Sequence, residues 1–325
     1  MTKPTALISG AGGQDGSLLA ELLAGQGFRV VGLLRPAGRL TADSMAAGVE
    51  PLEIDLQDAQ GLDALVGRLQ PQLVFHLAAH HHSSQEAGQV EALKAREAMI
   101  DVNFGVTRTL AFALLRHRLD AHLVVAGSSQ MYRIQPGGGD RLIDELTPAD
   151  PSTFYGHTKV WCRDLLATLR RDEGLRASLA VLFNHESPRR REAFLSRKVT
   201  LAAARAATGH GRPVELLNLG SRTDWSSADD VVQGLSLIAR EADAGDWVLG
   251  SGRAHSVREL LEAAFGHVGL DWRDWVTARA DDATPALVGD ARRARERLGW
   301  TPRTSFSSLI AAMVDADLER LRRGG

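Results

Sequence analysis

The feature that most limits how this chain can fold is Gly10-x-x-Gly13-x-x-Gly16, set between the apolar run 5–9 and a helical pattern, Leu18-Leu19-Ala20-Glu21-Leu22-Leu23, that Gly25 and Gly27 end. A strand turning through glycines into a helix near the N-terminus is the context that makes such a pattern a dinucleotide site. Gly10 permits the tight turn, Gly13 lets the backbone approach a pyrophosphate, and Gly16 lets the helix pack close to the sheet. The phosphates would lie on the helix N-terminus, against backbone N–H groups that have no helical partner.

Further apolar runs at 28–34, 51–54, 73–77, 121–126 and 179–183 alternate with helical patterns, among them 100–117 and 155–171. That alternation predicts an α/β fold, a Rossmann-type doubly wound parallel sheet. Residues 1–183 are read as the dinucleotide-binding domain, which also carries the candidate catalytic residues taken up below. The less regular stretch 184–325, with loops expected at 209–213 and 219–227, is read as a smaller, mainly substrate-binding part interleaved with the end of the sheet.

Composition narrows the partners. A formal net charge of -2 over 325 residues offers no general attraction to nucleic acid or an acidic membrane, so small molecules and further copies of the chain are expected. Cys162 is the single cysteine, which excludes an internal disulfide and a zinc site of several thiolates. With no charged-then-apolar leader before Leu7-Ile8-Ser9 and no apolar run of membrane-spanning length expected, the sequence predicts a cytoplasmic protein.

The second strand ends in Leu33-Leu34-Arg35-Pro36-Ala37-Gly38-Arg39, with no acid to hold a ribose 2′-hydroxyl. Arg35 suits a 2′-phosphate, and hence NADP(H), with Arg39 either a second contact or a solvated arginine. Asp55 is placed to accept from the adenine amino group. Gln14 and Asp15 in the glycine turn, Leu56 beside Asp55, and Leu77, Ala78 and Ala79 after the fourth strand complete the expected cofactor wall. The tract 135–140, Gln-Pro-Gly-Gly-Gly-Asp, is a surface connector or a lid.

Tyr155-x-x-x-Lys159 opens a helix, so its two side chains share one face. An ammonium beside a phenol favours the phenolate, which suits moving a hydroxyl proton during hydride transfer. Ser128 and Ser129 lie at the end of a buried strand, where a hydroxyl could bond the same substrate oxygen. Glycine loop, Arg35, Ser128, Tyr155 and Lys159 together resemble the extended short-chain dehydrogenases, and Asn103 resembles the helix asparagine that this family uses to hold its active-site lysine.

The resemblance narrows to the GDP-mannose 4,6-dehydratase family, on Ile8-Ser-Gly-Ala-Gly-Gly-Gln-Asp-Gly-Ser17, Leu182-Phe-Asn-His-Glu-Ser-Pro-Arg-Arg190, Ser196-Arg197-Lys198, Asp224-Trp225, Leu287-Val-Gly-Asp290 and Leu298-Gly-Trp-Thr-Pro302. It implies tightly held NADP(H) as an internal hydride carrier and a GDP-sugar substrate. Asn184 would face the substrate phosphates and Arg197 and Lys198 the nucleotide. Arg189 and Arg190 would lie near a subunit interface of a homodimer or homotetramer.

Three departures bear on the reaction. Gln130 stands where the dehydratases carry the glutamate that removes the carbon 5 proton, and an amide has no useful basicity. The family's substrate-clamping arginines are each displaced by one place, leaving Arg222 and Arg279 to replace them after small loop shifts. His80-His81-His82-Ser83 follows the fourth strand. No further ligand is spaced to complete a metal site, so His81 and His82, in a loop that borders the sugar site in that family, are expected either as part of a solvated or packed cluster or as a substituted acid or base.

Three functions remain open. One is a redox-only nucleotide-sugar enzyme, a 4-ketoreductase or epimerase, which the missing glutamate favours. The second is a true 4,6-dehydratase with another base, and the third a catalytically silent NADP(H)-binding regulator.

Overall fold

The structure, a computed structural model, describes residues 3–36, 48–80, 93–135 and 137–324. In chain order the strands are β1 (Thr5–Ser9), β2 (Arg29–Leu34), β3 (Val49–Glu53), β4 (Leu73–His76), β5 (His122–Ala126), β6 (Arg141–Ile143), β7 (Ala177–Leu182), β8 (Asn184–Glu186), β9 (Val214–Asn218), β10 (Arg222–Ser227), β11 (Asp246–Leu249), β12 (Ala254–Ser256), β13 (Val276–Ala280) and β14 (Leu287–Gly289). The helices are α1 (Gln14–Gly25), α2 (Ala59–Leu69), α3 (Leu93–Met99), α4 (Val106–Arg116), α5 (Phe154–Glu173), α6 (Leu195–Ala207), α7 (Ala228–Ile238), α8 (Val257–His267), α9 (Arg292–Leu298) and α10 (Phe306–Gly324).

Seven strands pair in parallel in the order β11-β7-β5-β4-β1-β2-β3. Strands such as β1, β4 and β7 are buried along their whole length, as continuous apolar runs covered on both faces must be. Side-chain alternation divides the core between those faces. Leu7 joins Leu62, Val66, Leu110 and Leu166 beneath α2, α4 and α5, while Ala6 and Ile8 join Leu19, Leu23, Val231, Leu235 and Trp247 beneath α1 and α7. The chain order reverses between β1 and β4, opening a crevice at the strands' carboxyl ends.

The second half of the chain is interleaved with the sheet, because α7 covers one face and β11 forms an edge. Its α6, α8 and α10 build a separate core, with Trp225, Phe265 and Met313 inside. Two expectations are corrected. The polar stretch 219–227 is not all loop: Arg222–Ser227 is β10, paired with β8 and β12. Also, Leu93–Arg116 forms 24 residues of helix apolar enough to span a bilayer by length and composition, though 56% of its most apolar window is buried in the fold.

Candidate active site

The candidate dinucleotide crevice is built by close approach. Gly10 has φ +75°, and a Cβ there would lie 2.7 Å from the Ala78 nitrogen; a Cβ on Gly16 would lie 2.1 Å from the Gly10 oxygen. Only glycines let the turn meet the end of β4 while α1 starts directly above it. No side chain caps α1, so its first N–H groups face outward, a fit for a pyrophosphate. Leu77 and Ala78 border this turn through hydrogen bonds from their N–H groups to the Ser9 carbonyl and hydroxyl. Ala79, Asp55 and Arg35 are exposed and Leu56 is half-buried. The Asp55 carboxylate accepts from the Gln57 N–H at 3.0 Å. Arg35 makes no hydrogen bond or ion pair among the described residues, leaving its guanidinium open to a phosphate at the end of β2. Arg39 lies outside the described residues.

The side chains of Gln14 and Asp15, expected at the cofactor, have partners in the segment after β7. Gln14 donates to the His185 carbonyl at 3.0 Å and accepts from Ser187 Oγ at 2.9 Å, and Asp15 Oδ2 lies 2.9 Å from His185 Nε2. Their side chains therefore grip the segment after β7, and their backbone N–H groups remain the part that can face phosphate.

The candidate catalytic groups meet where β5 ends and α5 begins. Lys159 is buried, donates from Nζ to the Ala126 carbonyl at 2.8 Å and lies 5.5 Å from the Tyr155 ring centroid. Ser128 Oγ accepts from the Gln130 N–H at 3.1 Å, capping the short turn Ser129–Met131. Thr153 caps α5, accepting from the Gly156 N–H at 3.0 Å while donating to Gln130 Oε1 at 2.9 Å. A Cβ on Gly156 would lie 2.1 Å from the Gln130 carbonyl oxygen, so this glycine lets the helix of Tyr155 and Lys159 sit against the turn of Ser128, Ser129 and Gln130. Gln130, expected from the sequence to stand at the position of the family's glutamate, is an amide held by the residue that caps α5.

Asn103 holds this region together, but not by touching Lys159. It lies in a π-helical turn, Ile100–Gly105, where its side chain accepts from the His80 N–H at 2.9 Å and donates to Thr158 Oγ1 at 3.1 Å. The loop after β4 is thereby tied to α5. His81, His82 and Ser83 lie outside the described residues. His76, which sequence reasoning passed over, is fully buried beneath the site, with Nε2 donating to the Val102 carbonyl at 3.1 Å and Nδ1 accepting from Ser9 Oγ at 2.7 Å. Burial, and then the charge of Lys159, push its pKa down to about 3, so the ring is neutral.

The expected substrate residues divide. Asn184 is exposed on β8 beside Trp225 of β10. Lys198 donates to the Glu215 carbonyl at 3.0 Å, and Arg279 pairs with the Glu215 carboxylate at 2.7 Å, bringing those two cations together on an exposed face. Arg222 pairs with Asp140 at 2.7 Å. Both Arg222 and Arg279 lie on strands, β10 and β13, not in loops. The expected small loop shifts are therefore corrected: a one-residue offset on a strand turns a side chain to the opposite face.

Arg197 is corrected too. It is buried against α10, 2.5 Å from Asp317, with a further bond to the Arg190 carbonyl, and so joins helices instead of facing a nucleotide. Asp317→Ala should destabilise the fold by about 3–5 kcal/mol, because it strands a buried guanidinium. Urea unfolding measures this, and a change near zero would contradict the pairing.

The tract 135–140 is tied at both ends, Gln135 to the Asp150 carboxylate and Asp140 to Arg222 and the Ala286 N–H. Arg189 and Arg190 are engaged within the chain. Arg189 bonds Ser17 and Glu21, and Arg190 lies 3.0 Å from Glu186 and over the Phe194 ring. Among the described residues no group of three or more histidine, cysteine or acidic side chains could hold a metal.

The family model for GDP-mannose 4,6 dehydratase matches residues 7–313. The chain belongs to the GDP-mannose 4,6-dehydratase family. It is 34% identical to GDP-mannose 4,6 dehydratase 2 of Arabidopsis thaliana, over 98% of this chain and 88% of that protein. Among solved structures, UDP-glucose 4-epimerase of Thermus thermophilus in complex with NAD superposes with a TM-score of 0.80 at 22% identity, covering 99% of each chain. RMD of Pseudomonas aeruginosa complexed with NADPH does so at 0.79 and 19% identity, covering 98% of this chain and all of that one. The chain shares its fold with both of these structures, one in complex with NAD and the other with NADPH.

Proposed function

We propose that this enzyme uses NADP(H) to transfer hydride at carbon 4 of a GDP-linked hexose or a related nucleotide sugar, as a 4-ketoreductase or epimerase. The observation that carries this reading is Gln130. Ser128, Tyr155 and Lys159 are assembled, but the position for the carbon 5 base holds an amide bonded to Thr153. The nicotinamide, when bound, supplies or accepts the hydride. Tyr155 moves the proton on the carbon 4 oxygen, Ser128 or Ser129 hydrogen-bonds that oxygen, and Lys159 supplies the positive charge that favours a phenolate. Such a complete arrangement argues against a silent regulator.

The second reading, a 4,6-dehydratase, is favoured by the 34% identity to a plant dehydratase, with His81 or His82 as the candidate base. Mass spectrometry separates the two. Purified protein with NADPH should add two hydrogens to a GDP-4-keto-6-deoxyhexose, and loss of water from GDP-mannose would support the dehydratase instead.

Arg35 is proposed to select NADP(H). Replacing Arg35 by Ala should weaken NADPH by about 1.5 to 3 kcal/mol, the usual scale of a charge-assisted hydrogen bond, and leave NADH nearly unchanged. Fluorescence titration with both cofactors tests this, and equal weakening would remove Arg35 from that role. Self-association and a cytoplasmic setting belong to the same reading, supported by the exposed Arg189 turn and by the free, buried thiol of Cys162.

A further inference from the structure

We propose that His185 is a positioning residue that couples the dinucleotide loop, through Asp15, to the strand end carrying Asn184. The inference rests on the reading that this loop receives NADP(H). His185 Nδ1 faces the Phe183 carbonyl at 2.7 Å and Nε2 faces Asp15 Oδ2 at 2.9 Å. Both partners are acceptors, so both ring nitrogens donate and the ring is an imidazolium. Burial opposes that charge, but the Asp15 carboxylate and its hydrogen bond outweigh it and hold the ring above its ordinary value. Burial likewise opposes charge on Asp15, and His185 holds it below the usual carboxylate range.

The pair is the centre of a larger clasp. Gln14, the neighbour of Asp15, bonds the His185 carbonyl and the Ser187 hydroxyl, and Ser187 Oγ accepts from the Arg189 N–H. The first turn of α1 thus holds residues 185–187, one step from Asn184. On the other side β8 pairs in parallel with β10, where neutral Ser226 lies opposite His185, and its Glu186 accepts from the Ser196 hydroxyl. The charged groups that face the imidazole are Asp15 from α1 and Arg190 from the turn after β8, itself paired with Glu186. A phosphate that orders the α1 N-terminus would therefore order Asn184 through a charge-assisted bond.

The test is amide hydrogen exchange across 183–190, in the presence and absence of NADPH at a concentration that saturates each protein. NADPH should slow exchange there at least about five-fold in the wild type, the lower end of ordinary coupling between sites. It should have no effect there in His185→Gln or Asp15→Asn. A variant that does not fold shows fast exchange throughout β5, and the other variant then decides. A third arm needs no variant: because the imidazolium is the raised form, wild-type protection is present at low pH and lost as pH rises through the folded-state pKa of His185. Protection that is equal in folded variants, or absent or independent of pH in the wild type, overturns the proposal. Nicotinamide fluorescence in the same samples reports binding, so failure of NADPH to bind counts against the cofactor reading, and NADH then repeats the exchange experiment.

Discussion

Tyr155→Phe should lower turnover by about 10²–10⁴-fold, the contribution usual for a positioned general acid or base, with little change in the thermal midpoint. The side chain is only partly buried at the start of α5, so removing one oxygen opens no core cavity. The helix keeps its Thr153 cap and its close contact with the turn at Gln130. The lost function is specific: with Lys159 still bonded to the Ala126 carbonyl, the charge remains but there is no phenolic proton to exchange with the carbon 4 oxygen. Single-turnover kinetics with the preferred sugar nucleotide checks this. Near-native turnover would show that another group carries the proton.

Gln130→Glu should create or raise elimination from GDP-mannose, provided that sugar binds. A glutamate of pKa about 4.3 in water, raised by partial burial, accepts a carbon-bound proton that an amide does not. The exchange suits its surroundings, since the Thr153 hydroxyl that now donates to the amide oxygen can donate to a carboxylate. Hydride transfer at carbon 4 should be unaffected. Deuterium taken up at carbon 5 from heavy water is the readout, because it reports proton removal whether or not water is lost. A variant that binds GDP-mannose and oxidises carbon 4 but never exchanges carbon 5 would show that geometry, not basicity, is what the site lacks.

The sheet was legible because its strands are apolar runs between glycines and helical periods, and β1, β2, β4, β5 and β7 fall within two residues of where such runs predict them. β10 was not legible, because Arg222-Thr-Asp-Trp-Ser-Ser is polar and is a strand only through pairing with β8 and β12. The placement of Tyr155 and Lys159 one turn apart at the start of α5, and of the serines just after β5, was legible in the sequence. What spacing could not show was which side chains face each other. Gln14 and Asp15 were assigned to the cofactor, yet they meet His185, 170 residues distant from Asp15 in the chain. Arg197 was assigned to the nucleotide, although Asp317, which neutralises it, arrives from the last helix. Thr153 carries a recoverable signal, a threonine directly before an apolar helix start.

The most direct measurement is isotope transfer from NADPH carrying deuterium at its reactive carbon to a GDP-4-keto-6-deoxyhexose. Hydride transfer without elimination predicts one deuterium at carbon 4 of a reduced sugar, with GDP-mannose left intact by the same protein in heavy water. Wild-type enzyme that releases water from GDP-mannose while exchanging carbon 5, and delivers no deuterium to carbon 4 of the keto sugar, would contradict it.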